Sequence, residues 1–351
     1  MSNTQLDFYQ EHTRSLMTPS MRTAVDAVRE GKAIVLLDAH DRENEGDLVV
    51  AGEKINTSSM NFLIQHGSGI VCLALTQERL DQLCLGPMLP QNTNVLGTAF
   101  CVSIEARTGI GTGVSAQDRA MTIKTALADE ARPQDLARPG HVFPLACVDQ
   151  GVFRRMGHTE ASVDLMKIAN LKPAAVLCDV MNTDGSMASG VEREHFAQKH
   201  QIALISVEEI LFHRIKTEDI FEHSQKDLGD TRFGKLIWHR FCFWGTETID
   251  IFLRAQNKAN HVHHVQIINN QNLHQRFLAS MLNPTEDDPL ASAFISLKKQ
   301  DCDIVAFLAY PDRKLEAALC RALRELEIKN IRAPEDFSAI ALNYFGISCV
   351  S

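Results

Sequence analysis

Residues 33–47 read AIVLLDAHDRENEGD. The first five, Ala33–Leu37, are a continuous apolar run of strand length. The rest of the stretch is acidic: Asp41, Glu43, Glu45 and Asp47 lie within seven residues, with Arg42 and Gly46 among them. Layered α/β domains present ligands at the ends of such buried strands. A solvated acidic turn has similar text. Two points weigh against it here. The run abuts an apolar strand, and crowded carboxylates repel one another unless a cation lies among them. Carboxylates are hard ligands, suited to Mg²⁺ or Mn²⁺.

Outward from this stretch, helix-like and strand-like text alternates. Met21–Glu30, Ser58–His66, Gln77–Leu83, Ala116–Ala128, Thr159–Asn170 and Val207–His213 have helical spacing. Gly69–Leu75, Ala99–Ile104, Val176–Val180 and Ile202–Ser206 read as strands. This mixed order predicts an α/β (α+β) fold in packed layers and leaves strand direction open.

At 351 residues the chain has room for two domains, each able to bury a core without staples. Fifteen of the 19 glycines precede residue 216. The stretch KTEDIFEHSQKDLGDTRFGK (216–235) is polar and charged, and reads as a connection. The expected organisation is an N-terminal extension over 1–19, a first domain over 20–215, a linker over 216–235 and a smaller α/β domain over 236–351. Lys plus Arg is 35 against 44 Asp plus Glu, a net charge of -9, which opposes a main role in gripping nucleic acid or an anionic membrane. No apolar run approaches the roughly 18 residues of a membrane span. Met1–Thr18 holds no stretch resembling a signal peptide. Nine cysteines without a C-x-x-C pair read as buried thiols of a cytoplasmic protein, not a disulfide scaffold or zinc ribbon.

Three further stretches carry chemistry. RRMGHTE (154–160) opens a helix with Thr159 as a candidate N-cap. Backbone N–H groups there, beside Arg154, Arg155 and Gly157, make a phosphate seat, and His158 suits a metal ligand or an acid/base. Surface arginines and a packing histidine fit the same text equally well. GIGTGVSAQDR (109–119) puts glycines and Thr112 before a helix, either a phosphate cradle or a plain surface loop. PGHVFP (139–144) holds His141 on a stiff backbone, where it suits proton transfer, although a lone loop histidine is more often structural. Taken together the residues point to metal-assisted proton chemistry on a phosphorylated small molecule.

DRENEGDL (41–48), GSGIVC (67–72), TGVSAQDRAMTI (112–123), RPGHVFPL (138–145), RRMGHTEASVDL (154–165) and NTDGSMA (182–188) together resemble 3,4-dihydroxy-2-butanone 4-phosphate synthase of riboflavin biosynthesis. The likeness runs collinearly over about residues 20–215. It implies a three-layer α/β/α domain, a homodimer with active sites near the subunit interface, and conversion of ribulose 5-phosphate into formate and 3,4-dihydroxy-2-butanone 4-phosphate. It also implies Mg²⁺ or Mn²⁺, two per subunit. Carried over by motif, Glu43 and His158 are the metal ligands, with Glu45 close by. Arg42 and Asp47 are substrate contacts. Arg155, Met156, Gly157, His158 and Thr159 form the phosphate site, with Thr112 as a helper. His141 is the proton-transfer histidine. Asp179 stands where the family has an essential glutamate, and Ala39 and His40 occupy places that are usually acidic.

In many bacteria this synthase is fused to GTP cyclohydrolase II, and residues 236–351 resemble a degenerate form of that domain. The strand-like Ile304–Tyr310 survives, and Leu315–Leu326 reads as a helix with one apolar stripe. The family's zinc-binding cysteine triplet is absent, since Cys242, Cys302 and Cys320 lack its spacing, so no zinc is expected. His261 and His263 would share one face of a strand as a replacement metal pair, without a local carboxylate or cysteine to complete it. The leading expectation is a catalytically silent tail. The alternatives are a tail acting on another nucleotide, or a regulatory scaffold descended from an enzyme.

Overall fold

The computed structural model describes residues 14–38, 42–231, 234–243, 247–254, 263–269, 293, 296–297, 304–308, 313–333 and 337–349. The chain divides into two compact units, Met1–His213 and Arg214–Ser351.

The first unit contains α1 (Pro19–Arg29), β1 (Ile34–Leu37), β2 (Gly46–Ala51), α2 (Thr57–His66), β3 (Cys72–Thr76), β4 (Ile104–Ala106), α3 (Ala116–Leu127), β5 (Leu136–Cys147), α4 (His158–Ile168), β6 (Ala174–Asp179), α5 (Val191–His200) and β7 (Ala203–Ser206). Its strands form one mixed sheet in the order β4-β5-β3-β6-β2-β1-β7. Alternate residues point to opposite faces, and both faces are buried. Val35, Leu48, Val50, Leu73, Leu75, Val176 and Cys178 share a core with Met60 and Leu63 of α2 and Ile123 and Ala126 of α3. The intervening Ile34, Leu36, Val49, Ala175 and Leu177 are buried as well. On their side α1 and α4 pack on each other and on the sheet. Burying each large aliphatic side chain contributes about 1.5–3 kcal/mol, so helices on both faces follow from the strand text. The first unit is therefore a three-layer α/β/α domain.

Local chemistry sets the helix starts. Thr18 accepts from the Met21 N–H ahead of α1, and Asn56 forms a capping box with Ser59 at α2. One expected strand is shorter than its text. Ala99–Ile104 yields only single bridges at Phe100 and Cys101 before β4 begins.

The second unit has β8 (Phe221–Thr231), β9 (Gly234–Phe243), β10 (Glu247–Arg254), β11 (His263–Asn269), β12 (Ile304–Leu308), α6 (Arg313–Glu325), β13 (Asn330–Arg332) and β14 (Ser348–Cys349). Its sheet runs β14-β13-β11-β12-β10-β9-β8. The expected linker is thereby corrected, because residues 221–231 are a strand paired antiparallel with β9. β8 is the sheet edge and most of its side chains are exposed, so its polar composition is that of an edge strand, not of a tether. Leu315, Leu319, Ala322 and Leu323 of α6 are buried, in the expected stripe. His261, Cys302, Ala39, His40 and Asp41 lie outside the described residues, as do residues 1–13 of the expected extension. Among the described residues no helix is long and apolar enough to cross a membrane.

Candidate active site

The acidic stretch is the turn of the β1–β2 hairpin, in which Leu37 pairs with Gly46. β2 also pairs antiparallel with β6, and its register sets Asp47 directly opposite Asp179. The start of α4 meets the same place. A cavity of about 470 Å³ opens there, lined by Arg42, Glu43, Glu45, Asp47, Arg155, His158, Thr159 and Asp179 together with apolar residues. The hairpin turn, the end of β6 and the N-terminus of α4 therefore bring together eight polar groups from three separated stretches of sequence.

Their mutual geometry is tight. His158 Nδ1 lies 3.5 Å from Asp47 Oδ1 and 3.8 Å from Glu43 Oε2. Arg42 spans Asp38 at 2.7 Å and Glu43 at 2.9 Å. Arg155 pairs with buried Glu160 at 2.7 Å and donates to the Leu96 carbonyl at 3.2 Å. Asp179 Oδ2 accepts from the Ser68 hydroxyl at 2.8 Å. Burial, then the charges of Asp179, Glu43, Glu45 and Asp38, push Asp47 well above the usual carboxylate range. Glu45 is raised by burial, then by Asp179 and Glu43. Burial lowers His158 against the opposing pull of Asp38 and Glu43, which favours the neutral, ligating imidazole. Burial, then Asp47 and Asp179, also raises the Cys72 thiol that lines the cavity, so Cys72 is not an activated nucleophile.

A divalent cation fits this donor set. Asp38 Oδ1, Asp47 Oδ1 and His158 Nε2 are buried without hydrogen-bond partners among the described residues. Buried polar atoms without partners are costly, and a cation with its bound waters would satisfy them. Among the described residues no three His, Cys, Asp or Glu side chains are gathered to hold a metal by themselves. Mg²⁺ characteristically takes one or two protein ligands and keeps waters or substrate oxygens.

Other expected site residues stand elsewhere. The N-cap of α4 is Gly157, not Thr159, and no side chain caps the helix. A Cβ at Gly157 would come within 2.3 Å of Arg155 Nη1, the mobile end of a long side chain, so it would push the guanidinium from its present place. Thr159 still lines the cavity, but Met156 and Gly157 do not. His141 and Thr112 are also outside the lining. His141 Nδ1 lies 2.9 Å from Glu105 Oε2 on neighbouring β4, and Gly113 packs against the pair. Leu145 does line the cavity, and it lies four residue steps along the strand from His141, about 13 Å. Sequence reasoning misses Glu105, Ser68 and the contacts made by Leu96, Thr98 and Phe100. Glu105, an isolated acid in an apolar strand, is a signal that could have been read; the 92–98 loop offers none.

A buried carboxylate–imidazole cluster facing an arginine, at strand ends of an α/β/α sheet, has the chemistry to take a small anionic molecule and a divalent cation. The sequence profile of 3,4-dihydroxy-2-butanone 4-phosphate synthase matches residues 22–213. The 3,4-dihydroxy-2-butanone 4-phosphate synthase of Shewanella halifaxensis is 52% identical over 194 residues, which cover 55% of this chain and 92% of that protein. The riboflavin biosynthesis protein RibBA of Aquifex aeolicus is 47% identical over 205 residues, 58% of this chain, and the match spans only half (50%) of that longer protein. The crystal structure of RibBX, a two-domain 3,4-dihydroxy-2-butanone 4-phosphate synthase from A. baumannii, superposes with a TM-score of 0.72 at 29% identity, covering 94% of this chain and 99% of that one. A 3,4-dihydroxy-2-butanone 4-phosphate synthase solved in complex with two magnesium ions is 37% identical, with a TM-score of 0.54 over 55% of this chain and 95% of that one. The chain belongs to the 3,4-dihydroxy-2-butanone 4-phosphate synthase family, enzymes of the lyase class.

Proposed function

We propose that the first unit converts D-ribulose 5-phosphate into formate and L-3,4-dihydroxy-2-butanone 4-phosphate, a step of riboflavin biosynthesis. The reading rests above all on the convergence of Glu43, Asp47, His158, Arg155 and Asp179 on one cavity. The reaction balances without an oxidant or second substrate, since the water lost on dehydration returns on hydration before formate leaves.

Each residue has a physical task. Arg155 and the uncapped start of α4 hold the phosphate, because a guanidinium fork and free N–H groups both suit that anion. Arg42 and Asp47 position the sugar hydroxyls. Removal of a proton beside the ketone creates an enediolate, whose charge needs stabilisation within the cavity. Glu43 and His158 would hold Mg²⁺ or Mn²⁺, which supplies Lewis-acid stabilisation of that charge when bound. A relative that holds two magnesium ions supports a divalent cation here. Asp179, anchored by Ser68, carries protons at the end of β6. His141 is the second proton carrier, with Glu105 fixing its ring.

His141 and Thr112 fall outside the cavity of one protomer, and exposed Val114 and Met121 flank that region. A homodimer in which each protomer lends His141 and Thr112 to its partner's cavity reconciles one site with two clusters. The second unit is read as catalytically silent, and the whole as a cytoplasmic protein acting on a small molecule. Purified protein given ribulose 5-phosphate and Mg²⁺ should release formate, and complete chelation should stop it. Formate release that survives chelation would overturn the metal assignment.

A further inference from the structure

Arg193 is a buried arginine with no part in the chemistry proposed for the cavity. It sits in the first turn of α5, away from the cavity lining. Among the described residues no carboxylate pairs with it; its polar contacts are neutral. Nε donates to the Gly190 carbonyl at 3.1 Å, Nη1 to the Glu45 carbonyl at 2.8 Å and Nη2 to the Asn44 side-chain oxygen at 3.1 Å. Burying a guanidinium without a counter-ion is costly unless the surroundings use its charge. Here the surroundings are the turn that presents Glu43, Glu45 and Asp47.

The contacts fall at the tightest point of that turn. Asn44 has φ 56°, a left-handed conformation that asparagine tolerates better than most residues. It lies between Glu43 and Glu45, and Arg193 grips its side chain and the carbonyl of the residue after it. The arginine stem also lies against Gly46, where a Cβ would come within 3.1 Å of Arg193 Cδ. The start of α5 is itself fixed, because Glu192 accepts from Ser189 N–H at 3.0 Å and from the Asn182 amide at 3.1 Å. The far end of α5 packs Phe196 and His200 against Phe62 and His66 of α2. The turn is thus tied to a helix held at both ends.

We propose that Arg193 is a positioning residue for the cation site: it locks the Asn44–Glu45 turn so that the Glu43 carboxylate faces His158. This rests on the reading of Glu43 and His158 as metal ligands. Partners that orient metal ligands typically govern affinity by roughly 10- to 100-fold.

The test compares full-length wild type with Arg193→Met, which keeps the stem and removes the fork, and with Asn44→Gly, which tolerates the left-handed turn but loses the side-chain contact. Mn²⁺ binding is followed by electron paramagnetic resonance without substrate, and the Mg²⁺ dependence of formate release is measured separately. In Arg193→Met the Mn²⁺ Kd and the Mg²⁺ concentration for half-maximal rate should both rise roughly 10- to 100-fold. At saturating Mg²⁺ most of kcat should return, with KM for ribulose 5-phosphate little changed. Asn44→Gly should show a smaller shift in the same direction, and the double variant should add little to Arg193→Met. If Arg193→Met does not fold, the Asn44→Gly shift decides. Unchanged Mn²⁺ affinity in the folded variants, with wild type binding normally, overturns the proposal. A wild-type chain that takes up no Mn²⁺ overturns the metal reading beneath it.

Discussion

Both units bury charged and polar groups in seven-stranded sheets, but they use them differently. In the second unit Asp250 is saturated: it accepts from Arg240 at 2.7 and 3.0 Å and from Trp238 Nε1 at 2.7 Å, while the Arg240 guanidinium stacks 4.8 Å over the Trp238 ring. His223 and His239 likewise meet each other at 3.1 Å. In the first unit Asp47 and His158, which line the cavity, keep buried atoms without partners among the described residues, and so does Asp38, bonded to cavity-lining Arg42. Satisfied buried networks hold a fold together, whereas unsatisfied ones that face a cavity are poised for a ligand. This contrast supports the proposal that the chemistry belongs to the first unit.

The sharpest way to break the contrast is to remove a donor on each side. Glu43→Ala or His158→Ala should cost several kcal/mol of transition-state stabilisation, roughly 10³-fold in formate release, with the folded circular dichroism spectrum retained. Asp179→Asn should cost about 10²-fold or more, because it removes a proton carrier while keeping its shape. Asp179→Glu should preserve or raise the rate, since the family resemblance implies glutamate at this place and aspartate reaches about 1.5 Å less. Full activity in Asp179→Asn would show that this carboxylate carries no proton. Asp250→Ala should do the opposite. It should lose about 3 kcal/mol of stability in thermal or denaturant unfolding by stripping a buried ion pair, yet leave kcat near wild type. A large drop in kcat at intact fold would make the second unit part of the catalytic machinery.

The first unit is legible in the text because its central strands bury both faces and so read as short apolar runs, and β1 and β6 lead into loops that carry motifs. The acidic turn and His158 are legible as residues next to strand or helix ends, whereas Asp179 is reached only through the family resemblance. What escapes is whatever depends on partners distant in sequence. β8 reads as a linker because an edge strand exposes polar side chains on both faces. Arg193 lies in VEREHFAQKH, whose charges look like a solvated helix face, and only the hairpin packed against it makes it buried. The start of α4 at His158 rather than after Thr159 has a local cause: Gly157 adopts the extended cap conformation and makes room for Arg155. The motif groups His141 with the cavity residues, but strand geometry places it about four residues further along β5.

The smallest effect refines the contrast through pH. Asp47 in the metal-free fold is raised above its ordinary value of 3.8, and Glu45 above 4.5. Raised carboxylates contribute stability that is fully present below those ordinary values and is lost as pH rises through the folded ones. The metal-free protein should therefore weaken on this account as pH increases, while a bound cation takes over the role of the protons. His158 is shifted the other way, below 6.5. Its contribution is present above that value and is lost as pH falls through its lowered folded value, so it stays neutral and ready to ligate into mildly acidic solution. Protons released on metal binding should thus come from Asp47 and Glu45 rather than from His158. The expected result is a gap in Tm between Mg²⁺-loaded and chelated protein that widens as pH rises above the ordinary carboxylate values. In Asp47→Asn, which has no carboxylate there to discharge, the widening should shrink. A gap that stays constant, or narrows as pH rises, would mean that the crowded carboxylates are not relieved by the cation, and the unpartnered atoms around the cavity would lose their meaning as a metal site.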